Sequence, residues 1–166
     1  KSKLRLIKTK NIKLNLKPEI YSVNDGYISQ TKNKVVINKK NIKLSSNTKA
    51  KNNEVVDLIF ALKVCKYVKS NAITLVKNEK TISIGGGQTS RIEAVKIALN
   101  KIGPNKSFVA ASDAFFPFID SIKLLKKFNC KAIIQPSGSV NDKNVISYAN
   151  KNKIPLYFAK FRFFKH

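Results

Sequence analysis

Tryptophan and methionine are absent from this 166-residue chain, and histidine occurs once, at the last position. A single imidazole, His166, excludes every catalytic or metal motif that needs two. Cysteine occurs twice, at Cys65 and Cys130, each in an apolar run and never as a C-x-x-C pair. That pattern reads as two buried free thiols rather than a disulfide framework or a metal site, so no metal is expected. Free thiols suit a reducing compartment, and the expected location is the cytoplasm. Also missing is any uninterrupted apolar stretch near the ~20 residues that a helical membrane span requires. The opening segment 1–17 alternates basic and apolar residues, without the apolar block of a signal peptide. Because the first residue is Lys1 rather than methionine, an amino-terminal portion is expected to precede it.

Acidic residues are scarce: nine against 33 basic ones, a formal net charge of +24. Such an excess invites a nucleic-acid reading. Arginine is scarcer still, present only as Arg5, Arg91 and Arg162, with lysine in every other basic position. Nucleic-acid readers gather charge on one face and use arginine for bidentate phosphate and base contacts. Here lysine is scattered along the whole chain beside abundant asparagine and isoleucine, the profile of A·T-rich codon usage. The charge therefore reads as compositional drift, with nucleic acid bound only non-specifically. A basic nucleic-acid-binding accessory protein stands as the alternative.

What is present is enough for a core: 43% of the residues are hydrophobic. Residues 1–53 read as an arm and linker. Short strands are expected over 4–7 and 34–37, a turn at Asn24-Asp25-Gly26, and a polar Lys/Asn/Ser-rich link from Lys39 to Asn53. From Glu54 a regular alternation begins. Helices are expected over 54–69, 90–102, 119–128 and 142–151, and strands over 72–76, 81–84, 108–111, 132–135 and 156–159. Ser90 and Glu93 form a capping-box signature for the second helix, and Gly103 marks its exit. Strands alternating with helices imply an α/β sheet covered on both faces.

In such folds anions and ligands collect where a strand turns into a helix. Three turns have suitable residues. Gly85-Gly86-Gly87-Gln88-Thr89-Ser90-Arg91 offers close backbone approach and a fork of donors on Arg91, though a tight turn alone also needs glycine. Ser112-Asp113-Ala114-Phe115-Phe116-Pro117-Phe118-Ile119-Asp120 sets aromatics beside carboxylates, which suits a flat heterocycle with an N–H edge. Equally, three phenylalanines are core material. Gln135-Pro136-Ser137-Gly138-Ser139 precedes the last helix. With lysine in almost every basic role, Arg91 and Arg162 are the better candidates for bidentate anion contacts.

These runs, with Asp57-Leu58-Ile59-Phe60-Ala61, Lys69-Ser70-Asn71-Ala72-Ile73 and the closing Arg162-Phe163-Phe164-Lys165-His166, resemble the bifunctional purine-biosynthesis family. That family joins an AICAR transformylase to an inosine-monophosphate cyclohydrolase. The likeness is strong over 57–166 and fainter over 1–50. It implies a three-layer α/β/α fold for 54–166, a cytidine-deaminase-like subdomain with an extended amino-terminal arm and without the deaminase zinc ligands. It also implies that the cyclohydrolase domain and the first transformylase subdomain lie outside this chain. The implied reaction is formyl transfer from 10-formyltetrahydrofolate to AICAR in purine biosynthesis, by an enzyme that is a homodimer when intact.

By position, the resemblance assigns Asn71, Arg91, Phe115 and Arg162 to AICAR, with Arg162 on the phosphate and Asn71 orienting the reacting groups. Ile92, Asp120, Ser139 and Val140 fall to the folate, Asp120 on its pterin edge. Ile119 stands where the family usually has a basic residue. The Lys–His dyad that moves protons would lie upstream, so no catalytic acid or base is expected here and this piece alone is expected to be inactive.

Overall fold

A computed structural model describes residues 5, 7–8, 17–103 and 106–166, and these form two compact units, Lys1–Lys34 and Val35–His166. In the first unit, β1 (Glu19–Val23) and β2 (Gly26–Gln30) pair antiparallel across the expected turn at Asn24-Asp25. Leu4 and Leu6 of the strand expected over 4–7 lie outside the described residues. Over 34–37 there is no strand. Ile37 is buried in the second unit's core, Val35 is half-buried against it and Val36 is exposed, so this apolar run packs by alternate side chains instead of pairing.

The second unit is a mixed six-stranded sheet flanked by helices. Its first strand, β3 (Ile42–Leu44), comes from the segment read as linker and pairs antiparallel with β8 (Leu156–Ala159). Ala50 is buried too, so the compact body takes in residues 35–53, which composition had assigned to the arm. Polar composition hides this because only every second or third residue here faces inward.

Helix α1 (Asn52–Cys65) begins where the Lys51 N–H donates to Glu54 Oε2 at 2.8 Å. Its buried face, Leu58, Ala61, Leu62 and Cys65, has the i, i+3, i+4, i+7 spacing of one helical stripe. Next come β4 (Ile73–Lys77) and β5 (Lys80–Gly85), an antiparallel hairpin, and then α2 (Arg91–Asn100). Ser90 Oγ caps α2 by accepting from the Glu93 N–H at 3.3 Å, while the Glu93 carboxylate pairs with Lys96 Nζ at 2.7 Å instead of returning to the cap. Half of the expected capping box therefore forms. The rest of the chain supplies β6 (Phe108–Ser112), α3 (Asp120–Lys127), β7 (Cys130–Pro136) and α4 (Asp142–Lys151) before β8.

Strand order is β3-β8-β7-β6-β4-β5, with β6, β7 and β8 parallel and β4 antiparallel to both of its neighbours. Side chains alternate across the sheet as a pleat demands. Ile73, Leu75, Phe108, Ala110, Ile133 and Leu156 face α2, α3 and α4. Ala72, Val76, Val109, Ala111, Ala132 and Ile134 face α1. The layers are thus α1, sheet, and the other three helices.

The β4–β5 turn has a built-in clamp. Asn78 and Glu79 both have positive φ, 51° and 54°, a conformation that costs non-glycine residues energy. The buried Asp57 carboxylate on α1 accepts both of their N–H groups, at 2.9 and 2.6 Å. Asp57→Ala is expected to lower stability by about 1–3 kcal/mol, the cost of orphaning such donors. Glu79→Gly, which relieves the backbone, should recover part of that loss in the same urea titration. Equal stability of Asp57→Ala and the parent would refute the clamp.

Candidate functional site

Register places five chain segments along one edge of the sheet. Ile73 opposes Gly85 on one side and Ser112 on the other, so the start of β4 lies beside the ends of β5 and β6. The parallel ladders bring the ends of β7 and β8 to the same edge. The turn before β4, the three strand-to-helix turns, and the segment after β8 therefore gather there. They carry Asn71, Phe115, Ser139, Val140 and Arg162, while Arg91, Ile92 and Asp120 lie in the first turns of the helices that follow.

The glycine-rich turn is used first for packing. A side chain on Gly85 would overlap the Ala94 carbonyl and approach Ala98 N at 3.0 Å, so the missing Cβ lets α2 lie directly on β5. Gly87 adopts φ of +67° and donates its N–H to the Lys69 carbonyl at 2.7 Å. The glycines thus answer first to close packing and turn geometry. Nearby, the Asn71 N–H and its Nδ2 both donate to the Gln88 carbonyl, at 3.1 and 2.9 Å, which fixes the Asn71 side chain against the turn.

Arg91 opens α2 and does not extend into solvent. Its Nε donates to Ser112 Oγ at 3.0 Å and Nη2 to Asp113 Oδ1 at 2.9 Å, leaving 10% of the side chain exposed. Burial lowers its pKa from the ordinary value, an effect that the Asp113 charge opposes. Arg91 remains a cation throughout any working pH range. Asp113, read from sequence as a carboxylate beside an aromatic wall, has its side chain fully buried and turned toward Arg91 and Ser70.

The aromatic run divides by burial. Phe116 is core, its N–H donating to the buried Gln135 Oε1 at 3.1 Å, whereas Phe115 is half-buried and Phe118 is 64% exposed. The Arg162 guanidinium lies over the Phe115 ring at 4.7 Å and its Nη2 reaches the Gly138 carbonyl at 3.5 Å. Phe115, Arg162 and the third turn thereby form one surface. Ile92, next to Arg91, is half-buried. Asp120, the first residue of α3, is exposed, and one of its oxygens accepts the Ser121 N–H. Ser139 Oγ accepts the Asn141 N–H at 3.1 Å, and Val140 is 99% exposed.

A cavity of about 410 Å³ opens between the loop before α3 and the face of α4, lined by Phe118, Ile119, Asn141, Val145, Tyr148 and Lys151 among others. None of the eight nominated residues lines it, although its wall adjoins Asp120 and Val140 in sequence. Cys65 is buried and Cys130 is half-buried, and neither is in a disulfide. Burial raises the pKa of both, that of Cys130 to about 12, so neither is a ready nucleophile near neutral pH. Among the described residues no group of three His, Cys, Asp or Glu side chains is placed to hold a metal ion, and no helix is long and apolar enough to cross a membrane.

A model of the AICARFT/IMPCHase bienzyme family matches residues 1–101. The chain belongs to this family. The matched span includes the amino-terminal arm, where recognisable motifs are sparse. The bifunctional purine biosynthesis protein PurH of Fusobacterium nucleatum is 46% identical over 170 aligned positions, covering 100% of this chain. PurH of Buchnera aphidicola is 44% identical over 92% of the chain, and that of Ruminiclostridium cellulolyticum 39% identical over 100%. The chain spans about a third of the length of these curated relatives, 33%, 30% and 33% respectively. Each of these relatives is described as a bifunctional purine biosynthesis protein.

Proposed function

We propose that this chain supplies part of the nucleotide and folate site for formyl transfer from 10-formyltetrahydrofolate to AICAR. One observation carries the proposal: Asn71, Arg91, Phe115 and Arg162, from four separated segments, reach a single edge of the sheet. Family membership gives that convergence its chemical meaning. Arg162 takes the phosphate, Phe115 faces the heterocycle and Asn71 orients the carboxamide and formyl groups. Ile92, Asp120, Ser139 and Val140 take the folate, with Asp120 on the pterin edge.

The reaction is attack of an aromatic amine on a formyl carbon. The amine is a poor nucleophile, so rate depends on a positioned base and on stabilising the oxyanion that forms as the carbonyl bond opens. This chain's share is binding and orientation. The proton-transfer dyad implied by the family lies in the upstream portion. Asn71 has an amide held rigidly by the Gln88 carbonyl, which favours precise alignment of the two reactants.

The test is Arg162→Lys. Arginine grips phosphate through two parallel N–H donors, and lysine offers only a point charge. AICAR affinity, measured by calorimetry on the folded chain, should weaken by about 1–3 kcal/mol, the range for hydrogen bonds to charged groups. Unchanged affinity with an unchanged circular dichroism spectrum would remove Arg162 from the site.

A further inference from the structure

We propose that Asp113 is the positioning residue of this site: a buried carboxylate that sets where the Arg91 guanidinium points and, through Ser70, ties the Asn71 turn and the closing segment to the same point. This rests on the proposed nucleotide site, to which the family resemblance assigns Arg91 as an AICAR contact.

The geometry is a four-way junction. Asp113 Oδ1 accepts from Arg91 Nη2 at 2.9 Å, and Oδ2 accepts from Ser70 Oγ at 2.6 Å. The backbone of Asp113 is engaged as well, its N–H donating to the Ala72 carbonyl at 3.2 Å and its carbonyl accepting the Phe163 N–H at 2.9 Å. Ser70 passes the connection on. Its Oγ accepts the Lys165 N–H at 3.1 Å and its own N–H donates to the Lys165 carbonyl at 2.8 Å. One residue, by its carboxylate and its backbone and with Ser70 as relay, therefore joins the loop before Asn71, the first turn of α2, the end of β6, and the segment on which Arg162 sits.

Physical chemistry makes this junction directional. An arginine held at both Nε and Nη2 has the plane of its fork fixed, so whatever it grips next is gripped in one orientation. Neither partner can leave without stranding a charge in a dry environment, so the pair stays closed. Short, charge-assisted bonds on both carboxylate oxygens also leave Asp113 no freedom to serve a ligand itself. Its effect on binding must pass through Arg91.

A double-mutant cycle on AICAR affinity tests that route. Asp113→Asn is nearly isosteric and removes the charge. In the parent chain it should weaken AICAR binding at least tenfold, and in an Arg91→Lys background by less than twofold, because no fork remains to be positioned. Equal losses in both backgrounds would mean that Asp113 acts on the fold alone and would overturn the proposal. A second readout needs no nucleotide. The Arg91 Nη2 protons, which donate to Asp113, should exchange slowly in the parent, faster in Asp113→Asn, and at the parent rate in Ser70→Ala, which should instead speed exchange of the Lys165 amide. If the parent fails to bind AICAR, the nucleotide assignment falls, and the Arg91 exchange rates still decide the positioning role. Identical Arg91 exchange in the parent and Asp113→Asn would sink it.

Discussion

Asp113→Ala is expected to destabilise the chain by about 3–5 kcal/mol, the cost of leaving one member of a buried ion pair uncompensated. Arg91 is nine-tenths buried and its nearest counter-charge is removed. Ser70 loses the acceptor for its hydroxyl at the same time, which adds a second orphaned polar group. The measurement is the urea midpoint with the slope held in view, since an unchanged slope shows that the native state keeps its compactness. Asp113→Asn should cost clearly less, because its side chain keeps the shape of the site and leaves a neutral, weaker acceptor beside Arg91 that no longer fixes the fork. A loss below 1 kcal/mol for the alanine variant would mean that solvent reaches the guanidinium once the carboxylate is gone.

Gly85→Val is expected to cost about 3 kcal/mol, the upper end of the range for overpacked interiors. Most overpacked sites relax by rotating a neighbouring side chain. At Gly85 the obstructing atoms are the Ala94 carbonyl and the Ala98 nitrogen, which belong to the backbone of α2. The helix must move away from β5 as a body, and Ala94, Val95, Ala98 and Leu99 lose their seat in the core with it. Gly103→Val is the control, since a Cβ there meets nothing within 4 Å. Thermal unfolding of the two variants against the parent decides the matter. Equal midpoints would show that α2 does not rest on that glycine.

The sequence was most legible where one signal sufficed. Over 142–151 and 156–159 the helix and the last strand have the limits that periodicity gave them, because Val145 and Ala149 repeat at helical spacing and the run after Pro155 is short and apolar. It was least legible where structure depends on distant partners. Val35, Val36 and Ile37 have strand-forming side chains but find no ladder, whereas β3 forms from a plainer stretch because β8 offers it an edge. The 19–23 and 26–30 strands escaped notice although their turn did not, since the apolar residues there alternate irregularly.

The candidate site divides the same way. Arg91 was singled out by scarcity, but nothing local told that its donors are committed to Ser112 and Asp113, more than twenty positions away. Asp113 looked like a ligand group because its neighbours are phenylalanines. Its true surroundings come from Ser70 and Arg91, which only the folded sheet brings to it.

The outermost strands of the six-stranded sheet, β3 and β5, have a consequence for how the protein behaves in concentrated solution. Open strand borders invite copies of a chain to zip together. β3 offers only three residues to such pairing. The β5 border begins with Lys80 and exposed Thr81, and the Lys101 ammonium occupies the Ile84 carbonyl at 2.9 Å. A cation sitting on that carbonyl removes an acceptor that a foreign strand would need and repels a like-charged neighbour. Whatever its origin, the lysine excess thus acts here as a guard against fibrous self-association, one that raised salt would weaken.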